Sequence, residues 1–263
     1  MKNLLMLALS LPLAACTVDV DEGPGNGSNN PPPGNGNEVS GSITQSGTWS
    51  GTIVVKGPTT IESSAVITVA AGTTIDFVGS NSLTVKGTLD IQGTAAAKVN
   101  LKPQTGTFFG GITNLGTLKM AYAIQKGAGI YGQSGAITIT DSKLSGANGD
   151  LIVLGGGSFN ASYSQFGVEN DSTHCELHFN GGSPISITKS NIVGAPYGFM
   201  LYGSSGGVYT ENNWYKNTTS NVDFGSGTGD FSRSYFDKAI TVPDGSTANN
   251  LVTTMIAGNG PRG

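Results

Sequence analysis

The sequence predicts an all-β fold, a solenoid of short strands wound in coils of 22–26 residues. Three observations predict it. Short runs such as "TIVV", "VITVA", "LTVKG", "LDIQG", "AITIT" and "PISITKS" alternate apolar and polar residues and are separated by Gly, Ser and Asn, as strands and tight turns are. After Cys16 no stretch sustains the 3.6-residue apolar period of an amphipathic helix. The second half also repeats itself. The segments "AITITDSKL", "SFNASYSQF", "PISITKSNI", "GVYTENNWY" and "DFSRSYFDK" place apolar anchors at Ile137, Phe159, Ile185, Val208 and Phe231, in steps of 22, 26, 23 and 23. A second row, Leu154, Phe179, Tyr202 and Phe224, steps by 25, 23 and 22. A single coil cannot bury its apolar face alone, so coils stack and share one interior. The Leu-x-x-Leu-x-Leu consensus of leucine-rich repeats is absent, and a propeller blade needs about 40 residues.

In chain order, residues 1–15 read as an export signal. "MKNLLMLALSLPLAAC" has a basic start, a short apolar core and small residues at a cut site. The apolar run falls short of the roughly 20 residues that span a bilayer. The ending Leu13-Ala14-Ala15-Cys16 resembles the lipobox of bacterial lipoproteins. That resemblance implies lipidation of the Cys16 thiol by a diacylglycerol, cleavage before it and acylation of the new amine, giving a membrane anchor. Thr17, in place of the Asp that often retains such proteins in the inner membrane, implies an outer-membrane destination. Residues 16–37, "CTVDVDEGPGNGSNNPPPGNGN", offer almost nothing apolar to bury and read as a disordered tether. Residues 38–263 then form one domain of ordinary to large size. Within it, "VAAGTTI" and "LTVKGTLDIQGT" resemble the opening coils of exported bacterial β-helix proteins. From about residue 41 to 240 the chain is similar to the right-handed, single-stranded parallel β-helix of the pectate-lyase-like solenoids. Trp49 is expected to help close the first end, since open sheet ends recruit other chains.

Period-2 alternation assigns directions. Leu154, Phe179, Tyr202 and Phe224 are expected to stack inward, as are Ile152, Leu177, Met200 and Val222, with Cys175 a small buried hydrophobe beside them. His174, Glu176 and His178 then point outward on one face. At the rise of an extended strand the two histidines would lie about 13 Å apart, too far to share a metal. The same parity makes Leu151, Val153, Tyr197, Phe199 and Leu201 an outward apolar and aromatic stripe. Such a stripe marks a partner site or lies under a long turn or the closing segment "TTMIAGNGPRG", and a bulge would reverse every one of these directions. Ser142, Ser164, Ser190 and Asn213 fall five residues past each anchor and are expected to stack at coil corners. Thr138, Asn160, Ser186 and Tyr209 form an outward polar column too mixed for a flat threonine array. "GSGTGD" occurs once and reads as a glycine-rich turn rather than a calcium loop.

Charged residues are 11% of the chain, the net charge is -4, and there is no basic cluster, so nucleic acid is not an expected partner. β-Helix lyases carry calcium-binding Asp clusters with Arg or Lys, and the related hydrolases carry close Asp pairs with His and basic partners. Neither set appears here. The sequence therefore leads to no catalytic residues, no cofactor and no metal, and to a non-catalytic, lipid-anchored envelope module for adhesion, scaffolding or carbohydrate contact. Its expected partners are the membrane, an envelope protein or a polysaccharide, and its candidate binding residues are Tyr197, Phe199, Leu201, His174, Glu176 and His178. The alternative is a divergent polysaccharide lyase or glycoside hydrolase with its site on the outer strands near Glu176 and His178.

Overall fold

The computed structural model describes residues 37–263; the expected export signal, the expected lipidation at Cys16 and nearly all of the expected tether fall outside the described residues. Among the described residues there is no helix. Parallel strands stack into a solenoid in which one nine-stranded sheet forms the first leg of each coil and a bent seventeen-stranded sheet forms the other two. Four successive coils show the plan. Their first legs are Ala136–Thr140, Ser158–Ser162, Ile185–Thr188 and Gly207–Val208. The second legs are Lys143–Ser145, Gln165–Phe166, Asn191–Val193 and Asn213–Tyr215. The third legs are Asp150–Leu154, Cys175–Phe179, Tyr197–Leu201 and Ser220–Phe224.

The interior is built of side-chain columns that run through the coils. On the first leg, Ile67, Leu89, Leu118, Ile137, Phe159 and Ile185 lie in register. On the second leg the line is Ile53, Ile75, Leu101, Gln125, Leu144, Phe166, Ile192, Trp214 and Phe236. On the third leg the inward columns are Ile152, Leu177, Phe199, Val222 and Leu154, Phe179, Leu201, Phe224. Each large side chain so buried contributes roughly 1.5–3 kcal/mol. Trp49 is fully buried in the first coil of the nine-stranded sheet. Toward the other end the core turns aromatic: Phe199 packs edge-on to Phe179 at 5.0 Å and stacks on Trp214 at 6.0 Å, and Trp214 stacks on Phe236 at 5.7 Å.

Three expected registers are corrected. The stack Leu177–Met200–Val222 does not form, because Phe199 takes the place expected for Met200 and Leu201 that expected for Tyr202. Phe199 and Leu201 are therefore core residues, not outward binding residues, and Leu151 is buried as well. The physical reason is a coil of 22 rather than 23 residues between Leu177 and Phe199. This register buries a phenyl ring and an isobutyl group and leaves the phenol of Tyr202 at the surface, where its hydroxyl finds a partner. On the first leg, Val208 pairs with Ser186 in the outward column and is exposed, while Tyr209 turns inward and is buried. Phe231 follows Asp230, which pairs with Val208, and so continues the line of Tyr209 rather than that of Ile185.

The corner between first and second legs is the most regular feature. Asp141, Tyr163, Lys189, Glu211 and Arg233 all adopt left-handed backbone, with φ between 48 and 61°. Each non-glycine residue held there costs on the order of 1–2 kcal/mol. The next residue offsets it with a hydrogen-bond ladder. The backbone N–H of Ser142 donates to Ser164 Oγ, that of Ser164 to Ser190 Oγ, that of Ser190 to Asn212 Oδ1, and that of Asn212 to Ser234 Oγ. Asn212, not the expected Asn213, is the ladder member; Asn213 sits one residue on and its amide donates outward to Asn191.

Candidate functional site

The third legs carry the candidate site. Their midpoints bury two consecutive residues: Leu151 and Ile152, Glu176 and Leu177, Gly198 and Phe199, Asn221 and Val222. Strict alternation cannot do this, so the strand bends there and residues before the bend reverse direction. Asp150, Cys175, Tyr197 and Ser220 form one outward column and Val153, His178, Met200 and Asp223 another. Glu176, expected outward, is instead fully buried. Neither of its oxygens meets a hydrogen-bond partner among the described residues. Burial, with a smaller push from the charge of Asp171, raises its pKa well above the ordinary carboxylate value, which favours the protonated form in the wall. A Cβ on Gly167 would collide with it, so the glycine is what makes room.

The same bend brings the two histidines together. His174 Nδ1 lies 2.8 Å from Asp150 Oδ1, and His178 Nδ1 lies 2.6 Å from Asp150 Oδ2. The two rings thus share one carboxylate from the preceding coil, far closer than the extended-strand separation. An ionised carboxylate only accepts, so both Nδ1 atoms carry hydrogen, and in the neutral rings the free lone pair is on Nε2. His174 is half-exposed, with 53% of its side-chain surface in solvent, whereas His178 shows 20%. Each imidazole leans on a phenol: His174 lies 5.3 Å from Tyr197, and His178 is edge-on to Tyr202 at 5.4 Å. Tyr202 in turn donates its hydroxyl to Asp223 Oδ2 at 2.6 Å, and this hydrogen bond, more than burial, pushes its pKa up to about 12. Cys175 is buried within the cluster, and burial, reinforced by the charge of Asp150, keeps it a thiol.

The cluster is a platform of two imidazoles and two phenols, in which two carboxylates orient His174, His178 and Tyr202 and Tyr197 packs on His174. Asp150 and Asp223 lie three coils apart, which at about 4.8 Å per coil separates them by roughly 14 Å. Glycoside hydrolysis uses carboxyl pairs about 5–9.5 Å apart. The four third-leg strands hold no Lys or Arg. Among the described residues no three His, Cys, Asp or Glu side chains are placed to hold a metal ion. Of the residues singled out from sequence, His174, His178 and Tyr197 meet at this platform, while Glu176, Phe199 and Leu201 lie inside; Cys16 lies outside the described residues. Sequence reasoning missed Asp150, Tyr202 and Asp223. Aligning Asp150 with Cys175 across the 25-residue coil was the signal that would have found the first. The other two needed the one-residue shorter coil. No protein-family model, no curated protein and no solved structure matches this chain.

Proposed function

We propose that the protein is an envelope component, anchored through a lipid on Cys16 and displaced from the membrane by residues 17–37, whose third-leg face contacts carbohydrate without transforming it. The observation that carries this reading is the preorganised ring platform of His174, Tyr197, His178 and Tyr202. Asp150 holds both imidazoles, Asp223 holds the Tyr202 hydroxyl, and Tyr197 packs against His174, so little side-chain entropy of the three hydrogen-bonded rings remains to be lost on binding a sugar face. The wide carboxylate separation and the inward turn of Glu176 favour contact over hydrolysis. The test is affinity electrophoresis against a panel of neutral and acidic polysaccharides. At least one should retard the protein, and Tyr202→Ala or Tyr197→Ala should abolish the retardation while circular dichroism stays unchanged. Unretarded migration in every gel would end this reading.

A second reading draws on one observation, the 2.6 Å hydrogen bond that orients His178 and leaves Nε2 as a base on a ring set edge-on to Tyr202. It makes the face a divergent polysaccharide lyase. Appearance of an unsaturated product from a uronate polymer, lost in His178→Gln, would favour it over simple contact.

A further inference from the structure

Beyond Val252, which still bridges to Tyr235 of the last coil, the chain leaves the winding path and runs back across the coils as a strap. It crosses the second-leg corner, not the third-leg platform. Ile256 is clamped by one side-chain amide: its N–H donates to Asn213 Oδ1 at 2.8 Å, and Asn213 Nδ2 donates to its carbonyl at 3.1 Å. One coil back, Asn191 Nδ2 donates to the Asn259 carbonyl at 3.2 Å, and the Gly260 N–H donates to the Lys189 carbonyl at 3.0 Å. Arg262 then grips Asp141 with Nε and Nη2, both at 2.7 Å, while its guanidinium lies 3.9 Å over the ring of Tyr163. Finally Lys98 Nζ donates to the Gly263 carbonyl at 2.8 Å. Gly260 adopts φ of +90° against Asn191, where any other side chain would collide.

Two features separate this strap from the coils it crosses. Its seat is made by the solenoid alone: Asn191 and Asn213 brace each other at 2.9 Å, and Asp141, Tyr163 and Lys189 belong to the laddered corner. The strap itself contributes nothing to the buried apolar core, and each of these grips on it is a hydrogen bond, an ion pair or a cation over a ring. A groove of about 420 Å³ remains between residues 256–259 and the side chains of Tyr163, Lys189, Glu211 and Arg233. At its root Thr253, Thr254 and Met255 are exposed and make no hydrogen bond among the described residues. Lifting residues 253–263 therefore breaks the strap's own bonds and none of the ladder bonds between coils.

We propose that this corner ridge is a docking site for the strap of a second copy of the chain, so that two molecules exchange residues 253–263. The seat already accepts that chemistry: an extended backbone, glycine at the position of 260 and arginine at that of 262. Exchange is reciprocal, since each copy carries both seat and strap, and so closes as a two-fold dimer. Within one molecule the strap competes at an effective concentration on the order of millimolar, so exchange becomes appreciable when copies crowd to that level.

The test uses full-length chains in a Cys16→Ser background. A Cβ on Gly263 would fall 2.7 Å from that of Ala95, close enough for a disulfide after a small shift of the strap. Ala95→Cys with Gly263→Cys in one chain should cross-link internally under oxidised glutathione. One copy carrying Ala95→Cys, mixed at about 1 mM with another carrying Gly263→Cys, should form the mixed disulfide at least about fivefold above either homodimer. That excess should vanish at about 10 µM and fall several-fold when the Ala95→Cys copy also carries Asp141→Asn. A mixed disulfide no more abundant than the homodimers at 1 mM, with the internal cross-link intact, overturns the exchange. Failure of the internal cross-link overturns the seat itself.

Discussion

Phe199 and Met200 are neighbours whose roles the 22-residue coil decides, and a pair of truncations separates them. Phe199 is fully buried and its ring meets Phe179 and Tyr209 at 5.0 Å each and Trp214 at 6.0 Å. Phe199→Ala removes a phenyl ring from a site closed by other coils, a change that costs about 3–5 kcal/mol. Lost aromatic geometry adds roughly 0.5–1.5 kcal/mol per pair, part of which that range already contains. Met200 lies outward between His178 and Asp223 and is partly exposed, so Met200→Ala should cost well under about 1.5 kcal/mol. For a domain of this size about 2–4 °C of melting temperature corresponds to each kcal/mol. The expected drop is thus about 6–20 °C for Phe199→Ala and at most a few degrees for Met200→Ala. Thermal unfolding followed by circular dichroism reads both, and the comparison holds even if the stacked coils melt in stages. Equal drops, or a larger one for Met200→Ala, would refute the register. Phe199→Asp should leave no folded protein, which makes it useless as a surface probe.

Three further outcomes follow from the interior and the strap. Folded Glu176 keeps its proton to higher pH than in the unfolded chain, so the folded state binds more protons across that window; stability should be full below about pH 4.3 and fall as pH rises through the folded pKa. Melting temperatures from pH 4 to 8 should show that decline in the wild type and a flatter profile in Glu176→Gln. Asp141 behaves oppositely: the hydrogen bonds from Arg262 hold its pKa below the usual carboxylate range, so its contribution is present above about pH 4 and lost as pH falls through the folded value. With the guanidinium half in water, Asp141→Asn should cost only on the order of 1 kcal/mol at neutral pH, and should speed proteolysis near Met255 as the strap lifts. Ser190→Ala leaves the buried N–H of Ser164 without its acceptor and should cost about 1–3 kcal/mol in urea unfolding, whereas Ser186→Ala on the outer face of the first leg should cost little.

Legibility in the sequence followed the locality of the cause. The corner ladder was readable because one dipeptide recurs, Asp-Ser, Tyr-Ser, Lys-Ser, Glu-Asn and Arg-Ser, with the left-handed residue first and the ladder residue second. The five-residue count lands on Asn213 rather than Asn212 because it starts at Val208, which faces solvent. The strap was visible as a candidate cover but not its path, since its partners lie 43 to 165 residues away. The platform was half legible: both histidines were picked out and directed outward, yet Asp150, which joins them, belongs to the previous coil.

Alternation of apolar residues and a period near 23 determined by themselves that this chain is an all-β solenoid, because burying one face of many short strands leaves stacking as the way to close a core. Register within each coil, the bend that swings Glu176 inward, and the meeting of His174 and His178 over Asp150 were decided by the tertiary structure alone. A one-residue change in coil length costs nothing in local propensity; only packing against the coils above and below selects which of two neighbouring side chains goes inside.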